Sequence, residues 1–296
     1  MTTQIVTAPS FPRRLAATLH RHARLRLGLL LAGPVGWLVI AYIGSLLILF
    51  LNSIWTRDPF TGLVIRQISL DNFAELLTNP LYRTVLLRTL TMAVAVTATC
   101  AILAFPIAYY MARVASPRTR GLLVVAVLMP LWASYLIKAY TWRLILSEEG
   151  VLNWFLGPIG LKGPGFGEVG LWLVFTYLWL PYMILPIFAG LERIPSSLLE
   201  ASADLGARGS MTFRRVVLPL AFPAVVAGSI FTFSLTLGDY IAPSLVTKGS
   251  QFIGNLILSN FGVPDLPLAA ALSLAPLGIV IVYLLIARRL GAFEAL

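Results

Sequence analysis

Charge-free apolar runs of about twenty residues recur along the chain, separated by basic or polar stretches. Leu27–Leu51 is the first, followed by Thr89–Ala112, Gly121–Ile137, Val169–Leu191, Ala221–Val246 and Leu266–Ala287. A helix rises about 1.5 Å per residue and the hydrocarbon core of a bilayer is about 30 Å thick, so each run can cross it. The third run is expected to continue through Lys138 to Leu146, and the fifth is interrupted only by Asp239. The pattern predicts an all-α membrane protein with six transmembrane helices. Arg21, Arg24 and Arg26 precede the first run as they would a signal peptide, but the run is too long for an h-region and no clean small-residue cleavage site follows. It is read as a retained helix.

The polar segments are not alike. Asn52–Arg83 is long, and its SLDNFAELL stretch (Ser69–Leu77) has the look of a short, capped amphipathic helix. Ser147–Glu168 is rich in glycine and proline; its GLKGPGFGE run lacks the Lys-Ser/Thr ending and preceding strand of a phosphate-binding loop and is read as a flexible extracytoplasmic loop.

Composition and charge sharpen this. The 296 residues are 58% hydrophobic and 11% charged, whereas a soluble domain carries about 25% charged residues. The net charge of +10 has a topological explanation. Fourteen of the 22 lysines and arginines fall on the N-terminal tail, the second and fourth loops and the C-terminus, which six crossings place on one side. The positive-inside rule makes that side cytoplasmic, with both termini there, and nucleic acid is not needed to account for the charge. The division is a basic tail over 1–26, a six-helix domain over 27–287 and a second tail over 288–296. The single cysteine, Cys100, allows no intrachain disulfide, and His20 and His22 in the basic tail lack zinc-ligand spacing. Neither a nucleophile elbow nor an HExxH is present, so the chain is expected to be no enzyme.

The stretch over 192–220 is too long for a simple hairpin. Pro195, Ser196 and Ser197 mark a helix start, Glu200 and Asp204 are four apart, Gly206 is a helix stop, and Gly209 and Ser210 suggest a turn. The reading is a short helix lying across the membrane surface, small-sided so that a partner can come close. These residues resemble the cytoplasmic signature of ABC importer permeases: Glu-Ala-Ala, three residues, Gly, nine residues, Ile-x-Leu-Pro. Here the run is Glu200-Ala201-Ser202, three residues, Gly206, nine residues, Val216-Val217-Leu218-Pro219. The departures, Ser202 and Val216, are small or apolar. TLTMAVAVTATCAILAFPIAYYMAR, VLMPLWASYLIKAYTWRLIL and FTFSLTLGDYIAPSLV extend the similarity to the spermidine/putrescine-type branch, from about Leu27 onward.

The resemblance implies a type I ABC importer permease fold in the bacterial inner membrane. Two permease chains, the second expected to be non-identical, form the pore, two ATPase subunits dock below it, and an extracytoplasmic binding protein delivers a small solute. ATP and Mg belong to the ATPase subunits, and this chain binds no cofactor. It implies that Glu200 meets a basic group on the ATPase, that Ala201, Ser202 and Leu205 lie at the dock, and that Gly206 permits the turn; Leu218 and Pro219 close the signature. Pro219 and Pro223 are hinges or ordinary helix-start prolines.

For the solute path the candidates are Asp239, Tyr240, Trp132, Tyr135 and Trp142. A carboxylate within a span is costly and normally faces a cavity or a partner. Asp239 is expected to meet an ammonium group of the solute, to pair with Lys138 or Arg143, or to sit at the outer mouth. The aromatics Trp132, Tyr135, Tyr140 and Trp142 suit cation–π contact or an interfacial belt. A polyamine is the first choice; Lys138 and Arg143 would suit a zwitterion such as an amino acid better. A secondary transporter or a scaffold would leave the signature loop unexplained, and an intramembrane enzyme would need paired aspartates, a serine–histidine pair or metal ligands within the spans, which hold no histidine and one acid.

Overall fold

The structure is a computed structural model that describes residues 23–58, 60–262 and 265–292. Arg13, Arg14, Arg21, His20 and His22 lie outside the described residues. The chain divides into two units at Asn52/Ser53. The first holds α1 (Ala23–Leu38), a π-helical turn (Val39–Ile43) and α2 (Gly44–Ser53), which runs up to the division.

The second unit opens with a hairpin, β1 (Thr56–Arg57) antiparallel to β2 (Val64–Ile65). The N–H groups of Thr61 and Phe60 donate to Asp58 Oδ1 at 3.0 and 2.7 Å, and these bonds hold the Asp58 carboxyl below the usual carboxylate range. Then come α3 (Asp71–Thr78), α4 (Pro80–Tyr109), α5 (Pro117–Trp132), α6 (Tyr135–Ile145), α7 (Val151–Leu156), α8 (Glu168–Glu192), α9 (Ser196–Asp204), α10 (Gly209–Thr212), α11 (Leu218–Gly238), α12 (Ile241–Val246), α13 (Ile253–Gly262) and α14 (Leu266–Arg289).

Three helices start on a polar cap with proline in the first turn, where its missing N–H costs nothing. Asn79 accepts from Leu81 N–H ahead of α4, Ser116 from Thr119 N–H ahead of α5, and Asp265 from Leu268 N–H ahead of α14. The expected amphipathic helix is α3, and Ser69 Oγ accepts from Asp71 N–H at 3.0 Å just before it.

The core lies between α4, α8 and α11. Val96, Cys100 and Ala104, Phe175, Met183 and Ile187, and Ala221 are among its fully buried residues. In lipid, helices associate by close packing, and small residues permit it. A Cβ on Gly190 would sit 2.3 Å from Ala224 Cβ, and one on Gly228 would sit 2.8 Å from Met183 Sδ. α8 and α11 therefore touch almost backbone to backbone, antiparallel, and Gly167 N–H donates to Val246 O at 3.0 Å where the pair ends.

Among the described residues, five helices are long and apolar enough to cross a membrane: Leu27–Ser53, Pro80–Val114, Glu168–Glu192, Gly209–Gly238 and Leu266–Arg289. α5 and α6 form a sixth crossing if the pair counts as one. The expectation of six holds on that count, with three corrections. The third span is not continuous to Leu146: it bends by 91° between Trp132 and Tyr135, where Ala133 and Ser134 are extended, shortly after Pro130. The fifth does not run Ala221–Val246. It starts at Gly209 and stops at Gly238, ahead of Asp239, because polar helix ends outside the apolar core escape a hydropathy reading. Gly209 and Ser210 open a helix rather than a turn, and a π-helical stretch (Phe213–Val217) joins α10 to α11. The glycine-rich loop also carries α7 and a 3₁₀ turn (Gly157–Ile159), pinned where Asn153 accepts from Gly163 N–H at 2.7 Å.

Candidate functional site

Two groups of residues sit far apart along α11. The first is built on α9. Pro195 is extended (ψ 138°), and the helix begins at the next residue. It ends in a Schellman arrangement: Gly206 has φ +77°, its N–H donates to Ala203 O at 2.8 Å, and Ala207 N–H donates to Ser202 O at 3.1 Å. Only glycine takes that φ without steric cost. Leu199 packs inward on the core, and Ser202 Oγ lies 2.9 Å from Thr212 Oγ1. Glu200, Ala201, Asp204 and Leu205 face outward, Leu205 at 88% exposure. Among the described residues neither Glu200 nor Asp204 is in an ion pair. The helix thus shows two carboxylates and a bare leucine on one surface. Leu218 and Pro219 are not on α9; they open α11, beyond α10 and the π-helical stretch.

The second group surrounds the break after α11. Asp239 Oδ1 accepts from Ile241 N–H at 2.9 Å and Ala242 N–H at 3.0 Å, which stops α11 and starts α12. The Tyr135 hydroxyl donates to Asp239 Oδ2. Tyr135 opens α6, directly after the 91° bend, so this bond ties one broken helix to the other. α13 braces the same place: Asn255 Nδ2 donates to Tyr240 O at 2.9 Å, and a Cβ on Gly254 would lie 2.8 Å from Asp239 O. Thr89 of α4 accepts from Ile253 N–H at 3.0 Å.

Of the expected alternatives for Asp239, the ion pair with Lys138 or Arg143 is not formed; the carboxylate is held by a hydroxyl and two amides instead. Its placement inside a continuous span is likewise corrected, since it caps a break. Tyr135, another candidate for the solute path, joins it. Tyr240 is adjacent and partly exposed, Trp142 lies against Tyr177 at 5.4 Å between ring centroids, and Trp132 points outward at 83% exposure. Aromatic residues that the sequence reading missed complete the lining. Tyr135 stacks on Trp179 (6.0 Å, 8° between planes), Trp179 meets Tyr182 at 6.0 Å, and Tyr182 stacks on Phe231 at 6.4 Å. The buried Trp179 Nε1 has no hydrogen-bond partner among the described residues.

Comparison with known proteins gives four findings. Residues 104–293 match the family model described as "Binding-protein-dependent transport system inner membrane component". Over 314 aligned residues, covering all of both chains, the sequence is 48% identical to the inner membrane ABC transporter permease protein YdcU of Escherichia coli (strain K12). It is 34% identical over 250 residues to the spermidine/putrescine transport system permease protein PotB of Escherichia coli (strain K12), covering 81% of this chain and 88% of that one. A chain in the crystal structure of a bacterial alginate ABC transporter, complexed with alginate pentasaccharide-bound periplasmic protein, superposes with a TM-score of 0.73 at 19% identity, covering 95% of this chain and 98% of that one. At that identity the likeness establishes the fold.

Proposed function

The chain belongs to the binding-protein-dependent transport system inner membrane components, and from that membership as an ABC importer permease we propose that it passes a small polyamine through a path gated at Asp239. The observation that carries the substrate class is a carboxylate in an aromatic setting with no cation paired to it. An ammonium group fits such a site by charge and by contact with ring faces. The name of PotB, a relative over most of the chain, supports the same class.

In this reading α9 docks on an ATPase subunit at the cytoplasmic side, with Glu200 toward a basic group, Leu205 and Ala201 in contact, and Ser202 and Gly206 fixing the helix and its stop. Leu218 and Pro219 start the span that follows. A second, different permease completes the pore, two ATPase subunits hold ATP and Mg, and both termini are cytoplasmic. ATP favours the conformation in which the two ATPase subunits are closed, and the docked helices bias the spans toward the outward-facing state through that difference in affinity. Solute then reaches Asp239 and displaces the Tyr135 hydroxyl.

Asp239→Asn keeps the shape and removes the charge. Losing a charge-assisted bond to the solute is expected to lower putrescine uptake about ten- to a hundredfold, while assembly with the ATPase and basal hydrolysis persist. Unchanged uptake at unchanged abundance rules out contact with the solute. A zwitterionic solute is the second reading. Trp179 Nε1 has no acceptor, and half-buried Lys138, three residues after Tyr135, has no carboxylate partner among the described residues. Both would suit an anionic group. Uptake of an amino acid, but not putrescine, would favour it.

A further inference from the structure

On the α4–α5 side of the docking helix lies a pair of arginines that the signature does not include. We infer that Arg113, assisted by Arg120, is a positioning residue that carries displacement of α9 into α4. The inference rests on α9 being the docking helix, as proposed above.

Arg113 sits in the π-helical turn (Tyr110–Val114) that ends α4. Its Nη2 donates to Leu191 O and, at 2.6 Å, to Ile194 O. These carbonyls belong to the end of α8 and to the residue before Pro195, on which α9 begins. One guanidinium therefore holds the joint between α8 and α9 and attaches it to the end of α4. Arg120 lies in the first turn of α5, where a positive charge opposes the helix dipole. Its placement makes sense from its partners: Nε donates to Met111 O and Nη2 to Ala112 O, both at 3.1 Å, and Nη1 meets Glu192 Oε1 at 2.8 Å. Arg120 closes the open carbonyls of α4 and ties the same end of α8 a second time.

The other flank of α9 is fastened to α4 as well. Phe213 packs edge-on against Phe105 at 5.6 Å and Tyr109 at 5.9 Å, both on α4, and Thr212 beside it meets Ser202 of α9. Both ends of the docking segment thus converge on the final turns of α4, which is also the helix whose Thr89 supports the segment bracing Asp239. Movement of α9 relative to the bundle must move α4 or break these contacts. Arginine suits this task because its rigid planar guanidinium fixes the directions in which the two Nη2 N–H bonds point, one to each carbonyl, whereas lysine offers a rotating ammonium.

The test uses the whole transporter in nanodiscs with its ATPase subunits. Hydrolysis is measured alone and with the binding protein purified in its loaded form, so the identity of the solute does not enter. Arg113→Ala is expected to assemble with basal hydrolysis within about twofold of wild type, and to lose stimulation by about tenfold or more, the effect of losing charge-assisted bonds to two buried carbonyls. Arg113→Lys is expected to recover stimulation only in part, to about a third of wild type, since one such bond remains possible. Wild-type stimulation in Arg113→Ala overturns the inference. If Arg113→Ala is not abundant, Arg113→Lys decides: a reduced stimulation supports the role, and either unchanged stimulation or lost abundance overturns it. Failure of the docking assignment is distinguishable, because it would appear as intact ATPase association in a Gly206→Val chain, whatever Arg113 does.

Discussion

The segment around α9 and the break at Asp239 are built on opposite terms. α9 keeps few of its groups for itself: Glu200, Asp204 and Leu205 face outward, and the helix is held by its flanks through Arg113, Phe213 and Ser202. The Asp239 break draws on α6, α11, α12 and α13, and its carboxylate is satisfied from within by Tyr135, Ile241 and Ala242. The contrast fits different tasks. A docking surface must leave bonds for a partner to make. A gate must have a closed state of its own, so that a solute has to outcompete an internal bond before it can be held.

The largest effect is expected from Gly206→Val. A β-branched side chain at φ +77° is strained by about 1–3 kcal/mol, and relieving it would dismantle the Schellman stop and redirect α9. Membrane insertion should be normal, while ATPase co-purification and uptake fall about five- to a hundredfold, the population effect of that strain. Wild-type uptake would remove α9 from the coupling role and leave the comparison without one side.

Gly254→Ala probes the other side. The new Cβ would lie 2.8 Å from Asp239 O, too close to be accommodated without a shift of backbone. Overpacking of this kind typically costs about 1–3 kcal/mol. Thermal stability should drop, with uptake lowered, while ATPase docking is retained. An unchanged melting curve would mean that the break is looser than its contacts imply.

The two regions also differed in how visible they were in the sequence. The proposed docking helix is a local object: Pro195, the Glu200–Asp204 spacing and Gly206 lie within one short stretch, and cap, helix and stop follow from neighbouring residues. The proposed gate is assembled from parts far apart in the chain. Trp179, Tyr182 and Phe231 lie in helices with apolar residues on every side, so periodicity gave no sign of which face they occupy. The break at Asp239 did carry a sign, an aspartate two residues before a helix start with Pro243 in its first turn, which reads as a cap. Hydropathy hides that sign, because it merges α11 and α12 into one run. The 91° bend is similar: Pro130 marks trouble, but the direction of α6 is set by Tyr135 reaching Asp239 and Trp179.

A smaller effect is expected from Glu200→Gln. An exposed ion pair with the ATPase is worth about 0–1 kcal/mol, so docking affinity should fall by no more than about fivefold at low salt, and the difference from wild type should shrink at high salt, where the pair is screened. An effect as large as that of Gly206→Val would show that Glu200 is buried in the assembled transporter and not at the rim of the dock.

The most direct test is uptake into proteoliposomes holding this chain, its second permease and the ATPase subunits, with the binding protein added outside and labelled putrescine as solute. Accumulation is expected only with ATP inside and the binding protein outside, and should cease when either is withheld. Accumulation driven by an ion gradient in the absence of ATP, or at the same rate without the binding protein, would contradict an importer permease worked through α9.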